Sequence, residues 1–258
     1  MNNFLIIPDR YNIEKSLEIA EKYGFGFEYN DFFNPDILDD DTKTGEIIND
    51  YKKYSLPSHC TLHGAFFDVI VFSSDSRIRE TAELRIRQSL DVARRIGAGG
   101  VIFHTNQSPQ LTSPAYINGW HDKNLEFWSR ILPDYSDIDI YLENMFDSSP
   151  DMLSKLAAGL SSFSNFGVCL DYAHAEVFGG GADCWVEKLA EYVKHIHIND
   201  NDLISDLHSA WGSGKVDRFS FYECYEKYFN NATILIETNS FENKKKSFYF
   251  RLRRERIF

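Results

Sequence analysis

Short apolar segments alternate with longer amphipathic segments from one end of the chain to the other. The clearest amphipathic segment is Ile78–Ile96, where apolar residues recur every three or four positions, and Gly97 after it suits a helix C-cap. The short apolar segments are typical of buried strands. Strands are predicted over Phe4–Ile7, Gly26–Tyr29, His59–Leu62, Val101–Phe103, Ile138–Leu142, Phe166–Leu170, Val193–Ile198 and Thr233–Ile236.

Helical segments separate these strands. Further helices are predicted over Ile13–Tyr23, Thr44–Tyr54, Asn124–Leu132, a segment after Ser149-Pro150, Trp185–Tyr192 and Arg218–Tyr228. Eight strands with helices between them favour an α/β fold of the (β/α)8 TIM barrel type over an open sheet. No linker rich in Pro, Gly or Ser interrupts the pattern, so a single domain is predicted over residues 1–258, with a basic tail at about 242–258.

Composition and charge narrow the function. Hydrophobic residues make up 43% of the 258 residues, which excludes a disordered chain. Lys and Arg number 27 against 39 acids, a net charge of −12 that disfavours a nucleic-acid partner and suits a protein that concentrates cations. The cysteines show no paired spacing, and no segment resembles a membrane span or a signal peptide. We expect a cytoplasmic protein without a membrane partner; an oligomer is left open.

Residues that can bind metal close six consecutive predicted strands. Since the active sites of such barrels lie at the carboxyl ends of the strands, these side chains are expected to meet at one face. The loops that follow add more of the same residue types. Imidazole and carboxylate groups together suit Zn or Mn, and also Fe or Co. The strand ends supply His63, His104, Glu143, Asp171, His197 and Glu237, and the loops supply His174, Asp206 and His208.

Nine ligands are more than one ion can use, so more than one divalent ion per chain is expected from the residues alone, and Glu143 is a candidate bridge between two ions. His195 lies two residues before His197 and should also face the barrel interior, as a core residue or as a support for a ligand.

The ordered motifs resemble the xylose-isomerase-like barrel superfamily, which includes sugar isomerases, ketose epimerases and endonuclease IV. The resemblance runs from about Pro57 to Thr238. It is carried by Leu62-His-Gly-Ala-Phe-Phe-Asp68, Val101-Ile-Phe-His104, Tyr141-Leu-Glu-Asn144, Cys169-Leu-Asp-Tyr-Ala-His174, His195-Ile-His-Ile-Asn-Asp200, Asp206-Leu-His208 and Leu235-Ile-Glu237.

The resemblance implies two ligand sets. Similarity to the ketose epimerases implies one ion held by Glu143, Asp171, His197 and Glu237, with the two glutamates moving a proton beside the substrate carbonyl. Similarity to endonuclease IV implies three zinc ions held by all nine residues.

Three functions remain open at this point. The first is isomerisation or epimerisation of a sugar or sugar phosphate with Glu143 and Glu237 as catalytic acid and base. The alternative is a zinc phosphodiesterase that cleaves DNA at abasic sites, as in AP endonuclease family 2. The third is a metal-binding relative without activity. Against the nuclease, the segment Asn30–Asp41 carries five aspartates and no Lys or Arg, where the resemblance implies a DNA-gripping loop. Phe66 matches the position of an aromatic wedge in the nuclease family, but Phe66-Phe67 before Asp68 is equally at home in the epimerase-like relatives and does not separate the two. One feature favours DNA, the basic tail, although such tails are more often the solvated ends of a final helix. The tail contains Lys244, Lys245, Lys246, Arg251, Arg253 and Arg254.

Overall fold

Eight parallel strands close into a barrel in this computed structural model, which describes residues 3–238, 242–244 and 246–247. Each strand pairs with the next one along the chain, and the first pairs with the last, so the sheet has no edge. The strands are β1 (Phe4–Ile6), β2 (Gly26–Tyr29), β3 (Cys60–His63), β4 (Gly100–His104), β5 (Asp139–Glu143), β6 (Phe166–Asp171), β7 (Val193–Ile198) and β8 (Thr233–Ile236).

Helices on the outside of the barrel connect the strands. Their polar faces meet solvent and their apolar faces bury the outer surface of the sheet. They are α1 (Ile13–Tyr23), α2 (Pro35–Leu38), α3 (Asp41–Lys52), α4 (Ser76–Ile96), α5 (Pro114–Asp134), α6 (Asp151–Leu160), α7 (Tyr172–Val177), α8 (Ala182–Leu189) and α9 (Arg218–Tyr228), with a 3-10 turn at Arg10–Asn12.

The predicted barrel is confirmed, and the main differences are the bounds of some helices and two short helices, α2 and α7, that were not predicted. Gly97 is the left-handed cap of α4, as expected, with φ of 88°. Helix α5 begins ten residues earlier than predicted, because Ser113 accepts a hydrogen bond from the Tyr116 amide and Pro114 occupies the first helical position. Helix α7 was not predicted: Asp171 ends β6 and caps the next helix by accepting from the amide of His174 at 2.7 Å.

Close packing between neighbouring strands constrains one glycine in particular. A Cβ on Gly26 would lie 2.0 Å from the carbonyl oxygen of His59, so only glycine permits β2 to approach the start of β3. Outside the strands, Trp128 of α5 and Trp185 of α8 are almost fully buried. None of the helices within the described part of the chain is both long and apolar enough to cross a membrane.

Candidate metal centre

The six ligand candidates at the strand ends all lie at the carboxyl end of the barrel. His63, His104, Glu143 and Asp171 are the last residues of their strands, His197 is one residue before the end of β7, and Glu237 directly follows β8. Every one of these side chains is at most 11% exposed. The donor atoms of the nine candidates form three groups, in each of which they lie within 4.8 Å of one another, and Cys169, His195 and His197 form a fourth such group among the described residues.

The first cluster is formed by His63, His104 and Glu143. Oε2 of Glu143 lies 3.6 Å from Nε2 of His63 and 3.4 Å from Nε2 of His104. Nδ1 of His63 lies 3.1 Å from the carbonyl oxygen of Gly64, to which it donates when protonated. That hydrogen bond leaves the lone pair on Nε2, the atom that faces the cluster.

The second cluster is formed by Glu143, Asp171, His197 and Glu237. Nδ1 of His197 lies 3.2 Å from Oε1 of Glu143 and 3.6 Å from Oε2 of Glu237. Glu143 therefore contributes one oxygen to each of the first two clusters, which is the geometry a bridging carboxylate requires.

The third cluster lies at the rim of the barrel and consists of His174, Asp206 and His208. Oδ2 of Asp206 lies 3.4 Å from Nε2 of His174 and 3.1 Å from Nε2 of His208. Nδ1 of His208 lies 3.7 Å from Oε2 of Glu237, so this cluster adjoins the second one. Asp206 is exposed, whereas the other two clusters are buried.

Hydrogen bonds from the strand ends hold the third cluster in place. The side-chain amide of Asn144 makes two hydrogen bonds to the end of β6. Its Nδ2 donates to the carbonyl oxygen of Asp171 and its Oδ1 accepts from the Asp171 amide, each at 2.9 Å. The carbonyl oxygen of Asn144 lies 3.0 Å from Nδ1 of His174 and accepts a hydrogen bond from Nδ1–H, which leaves the lone pair on Nε2, the atom that faces Asp206.

The loop after β7 is organised by a buried carboxylate. Asp200 accepts hydrogen bonds from the amides of Gly212 at 2.8 Å and Val216 at 3.1 Å. A Cβ on Gly214 would lie 2.3 Å from the same carboxylate, so glycine is required at this close approach. The segment Gly212–Gly214 therefore forms a turn before α9, and its contacts with Asp200 anchor the loop that carries Asp206 and His208.

The donor set fits divalent cations. Several buried ligand atoms have no hydrogen-bond partner among the described residues, although buried polar atoms are normally paired. A cation bound in each cluster would satisfy them, since carboxylate oxygens and unprotonated imidazole nitrogens are metal ligands. These atoms are Oε2 of Glu143, Oδ2 of Asp171, Nε2 of His174, Nδ1 of His208 and Oε2 of Glu237.

Buried carboxylates and histidines lie so close together in this site that they shift one another's pKa values. Burial raises the pKa of Asp171 to about 7, a shift that the nearby Glu237 and Glu143 reinforce and His174 opposes. Burial would also raise the pKa of Glu143, but His197 and His104 hold it well below its usual range. Burial would lower the pKa of His208, yet Asp206 and Glu237 raise it to about 9. Positive charge at this end of the barrel is therefore strongly favoured.

One buried residue of the site was missed from the sequence. Glu28 on β2 is completely buried, and its carboxylate lies 3.0 Å from His195 and 3.1 Å from His197. The available signal was a carboxylate in the middle of a short apolar strand, where only a paired charge is tolerated.

Two charged segments that bear on nucleic-acid binding are partly paired or buried in the structure. The five aspartates of the segment after β2 were expected to repel phosphates, but Asp39 and Asp41 pair with Arg85 and Arg95 of α4. In the expected basic tail, Lys244 is buried and donates to the carbonyl of Ile7 at 2.6 Å, so it is not a solvated cation. Lys245, Arg251, Arg253 and Arg254 lie outside the described residues.

Phe66 lies where an aromatic wedge was expected, at the mouth of the barrel. Its ring centroid is 5.2 Å from those of both His63 and His104, and 4.8 Å from that of Phe33. The side chain thus forms an apolar wall beside the first cluster.

Comparison with known proteins gives one family match and several relatives. The family model described as xylose isomerase-like TIM barrel matches residues 17–247. An uncharacterized protein of Methanocaldococcus jannaschii is 28% identical over 198 residues, which are 72% of this chain and 66% of that protein. Fructoselysine 3-epimerase of Escherichia coli O157:H7 is 29% identical over 150 residues, 55% of this chain and 53% of that enzyme. A probable endonuclease 4 of Mycobacterium leprae is 26% identical over 162 residues, 57% of this chain and 61% of that protein. The chain thus spans between about half and two thirds of these relatives.

Solved structures share the fold over nearly the whole chain. The TTHB071 protein of Thermus thermophilus, from a crystal soaked with ZnCl2, superposes with a TM-score of 0.77 at 22% identity and covers 96% of each chain. A D-tagatose 3-epimerase-like protein superposes with a TM-score of 0.76 at 22% identity and covers 98% of this chain and 97% of the other.

Proposed function

The chain belongs to the xylose isomerase-like TIM barrel family, and on that basis we propose that it is a metal-dependent enzyme that isomerises or epimerises a sugar or sugar phosphate. The observation that carries the proposal is the second cluster. In it, two buried glutamates, one at the end of β5 and one directly after β8, lie beside one histidine and one aspartate. The sugar epimerases among the relatives and structural neighbours support the same class of reaction.

The residues have distinct tasks under this proposal. Glu143, Asp171, His197 and Glu237 would hold the ion, with zinc or manganese suited to the mixed donor set. A bound ion would polarise the substrate carbonyl and so lower the pKa of the C–H group next to it. Glu237 removes that proton, because it is the more exposed of the two glutamates, 8% against 1% for Glu143.

Return of the proton uses the opposite glutamate or the same one. β5 and β8 lie three strands apart around the barrel, so Glu143 and Glu237 approach the mouth from different sides. Protonation of the same carbon by the opposite glutamate inverts that centre. Return of the proton by Glu237 to the neighbouring carbon, together with transfer of the hydroxyl proton between the two oxygens, interconverts a ketose and an aldose. Burial of the two glutamates excludes water, which strengthens their electrostatic interaction with the substrate during both proton transfers.

A second function is favoured by the third cluster. His174, Asp206 and His208 form a complete additional ligand group that a single-ion epimerase does not need. Hydrolysis of a phosphodiester by a multinuclear zinc site, as in cleavage at an abasic site, would use all three clusters to activate water and neutralise the leaving oxygen. In that case Glu143 and Glu237 act only as ligands.

Two isosteric variants separate these functions. Glu237→Gln removes the proposed base, and Asp206→Asn alters only the third cluster. Metal content is measured by plasma mass spectrometry, proton transfer by deuterium uptake from D2O into a panel of ketoses and their phosphates, and hydrolysis with abasic-site DNA.

The epimerase proposal expects deuterium uptake that falls at least about 100-fold in Glu237→Gln and less than about tenfold in Asp206→Asn. Cleavage of abasic DNA that both variants abolish, with no deuterium uptake by the unmodified protein, would replace the epimerase by the phosphodiesterase. Metal bound without either activity supports the inactive relative.

A further inference from the structure

A carboxylate that belongs to none of the three clusters lies beneath the second one. Glu28 points into the barrel from β2, and its side chain is fully buried. Its Oε2 accepts a hydrogen bond from the hydroxyl of Thr61 at 2.7 Å and lies 3.0 Å from Nε2 of His195. Its Oε1 lies 3.1 Å from Nε2 of His197.

These contacts place Nε2 of His197 against a carboxylate and Nδ1 against the second cluster. A carboxylate accepts hydrogen bonds from the N–H groups that face it, so Glu28 favours the form of each histidine that carries its proton on Nε2. A neutral His197 then keeps its lone pair on Nδ1, the atom 3.2 Å from Glu143 and 3.6 Å from Glu237. The lone pair therefore points into the second cluster, where a metal would be bound.

We propose that Glu28 is a positioning residue that fixes the tautomer of His197 and strengthens its Nδ1 as a metal ligand. The proposal rests on the metal site of the proposed function. A carboxylate that accepts the other ring N–H of a ligating histidine orients the ring and increases its basicity, and losing such a partner typically costs about 10–100-fold in metal affinity.

The same contacts exclude a competing site. Cys169, His195 and His197 also bring donor atoms within 4.8 Å of one another. His195, however, has Nε2 against Glu28 and Nδ1 against the hydroxyl of Thr233, so neither of its nitrogens is available to an ion. His195 instead helps to anchor Glu28, while stacking at 5.4 Å on Tyr141.

Glu28→Gln tests the proposal with little change of shape. The amide has one accepting oxygen, and its NH2 group must face a nitrogen lone pair, so the two histidines can no longer both present Nε2–H. Titration with Zn2+ against a chromophoric chelator is expected to show one class of sites weakened by about 10–100-fold. Burial would lower the pKa of His197, but nearby acidic groups raise it, so the tautomer is read in the metal-free protein at a pH high enough for the ring to be neutral. There, long-range 1H–15N NMR is expected to show His197 moving from the Nε2–H to the Nδ1–H tautomer in Glu28→Gln, assigned by comparison with His197→Asn.

Thr61→Val is the matched control, because it removes a hydrogen bond from the same carboxylate but keeps its charge and both histidine contacts. It should change the Zn2+ affinity less than about threefold and leave the tautomer as it is. Equal losses in the two variants, or an unchanged tautomer and affinity in Glu28→Gln, overturn the proposal. Neither measurement uses a sugar, so failure of ketose turnover with these results intact would refute the proposed reaction alone.

Discussion

Asp147 lies in the loop after β5, and its ionisation opposes folding. The side chain is 1% exposed; Oδ2 accepts hydrogen bonds from the Thr105 hydroxyl at 2.6 Å and the Met145 amide at 3.0 Å, while Oδ1 has no partner among the described residues. Burial raises the pKa of this carboxyl to about 6, against the opposing effect of the two hydrogen bonds. Replacement by asparagine removes the titration and should change how stability depends on pH.

The sign and size follow from linkage. Between the ordinary pKa of 3.8 and the folded value of about 6, the folded protein binds more protons at Asp147 than the unfolded chain does. Stability is therefore lost as pH rises through this window. A difference of about two pKa units corresponds to about 3 kcal/mol, an upper figure that is fully expressed only above pH 6. The stability of Asp147→Asn relative to the unmodified protein should thus rise by about 2–3 kcal/mol from pH 4 to pH 8.

Urea denaturation of the metal-free proteins at a series of pH values measures this difference directly. The absolute stability of Asp147→Asn also contains the cost of a buried amide N–H, so the change with pH is the informative quantity. Thr105→Val serves as the opposing control, because losing the donated hydrogen bond raises the pKa of Asp147 further and extends the loss of stability to higher pH. A constant stability difference between pH 4 and pH 8 would refute the argument.

Two further predictions concern the metal and its loop. Removal of metal with a chelator should lower the melting temperature in scanning fluorimetry, because an ion present at 100 times its dissociation constant stabilises by about 2.7 kcal/mol, and an unchanged melting temperature would mean that no ion is bound. Asp200→Ala should destabilise the protein by about 2–4 kcal/mol in urea, since the half-buried amide of Gly212 and the buried amide of Val216 lose their acceptor, and a loss below about 0.5 kcal/mol would show that the loop is held by other contacts.

The fold was predictable because fully buried parallel strands are continuous in apolar residues. The bounds of β2, β7 and β8 agree with the predicted segments, and the other strands differ by one or two residues. The first turns of α5 were missed because Pro114 and Gly119 are typical of loops, although Tyr116, Ile117 and Trp120 lie at helical spacing. Helix α7 has six residues, which is too short for a helical period to be recognised.

The residue types of the site were visible in the sequence, but their grouping was not. Which candidates face one another depends on the closure of the barrel and on the register of neighbouring strands, as with His104 opposite Glu143 in the β4–β5 pair. Glu28 escaped for the same reason: its contact with His195 spans 167 residues of sequence, and no local pattern records that pairing.

The position of Glu143 would link the binding of ions in the first two clusters. Its two oxygens face different clusters, Oε2 toward His63 and His104 and Oε1 toward His197. An ion bound in one cluster would fix the carboxylate that the other needs and would also add a like charge nearby, so the two binding equilibria would share a coupling free energy. The binding isotherm should therefore depart from that of independent sites, and the occupancy of one cluster would set the affinity of its neighbour.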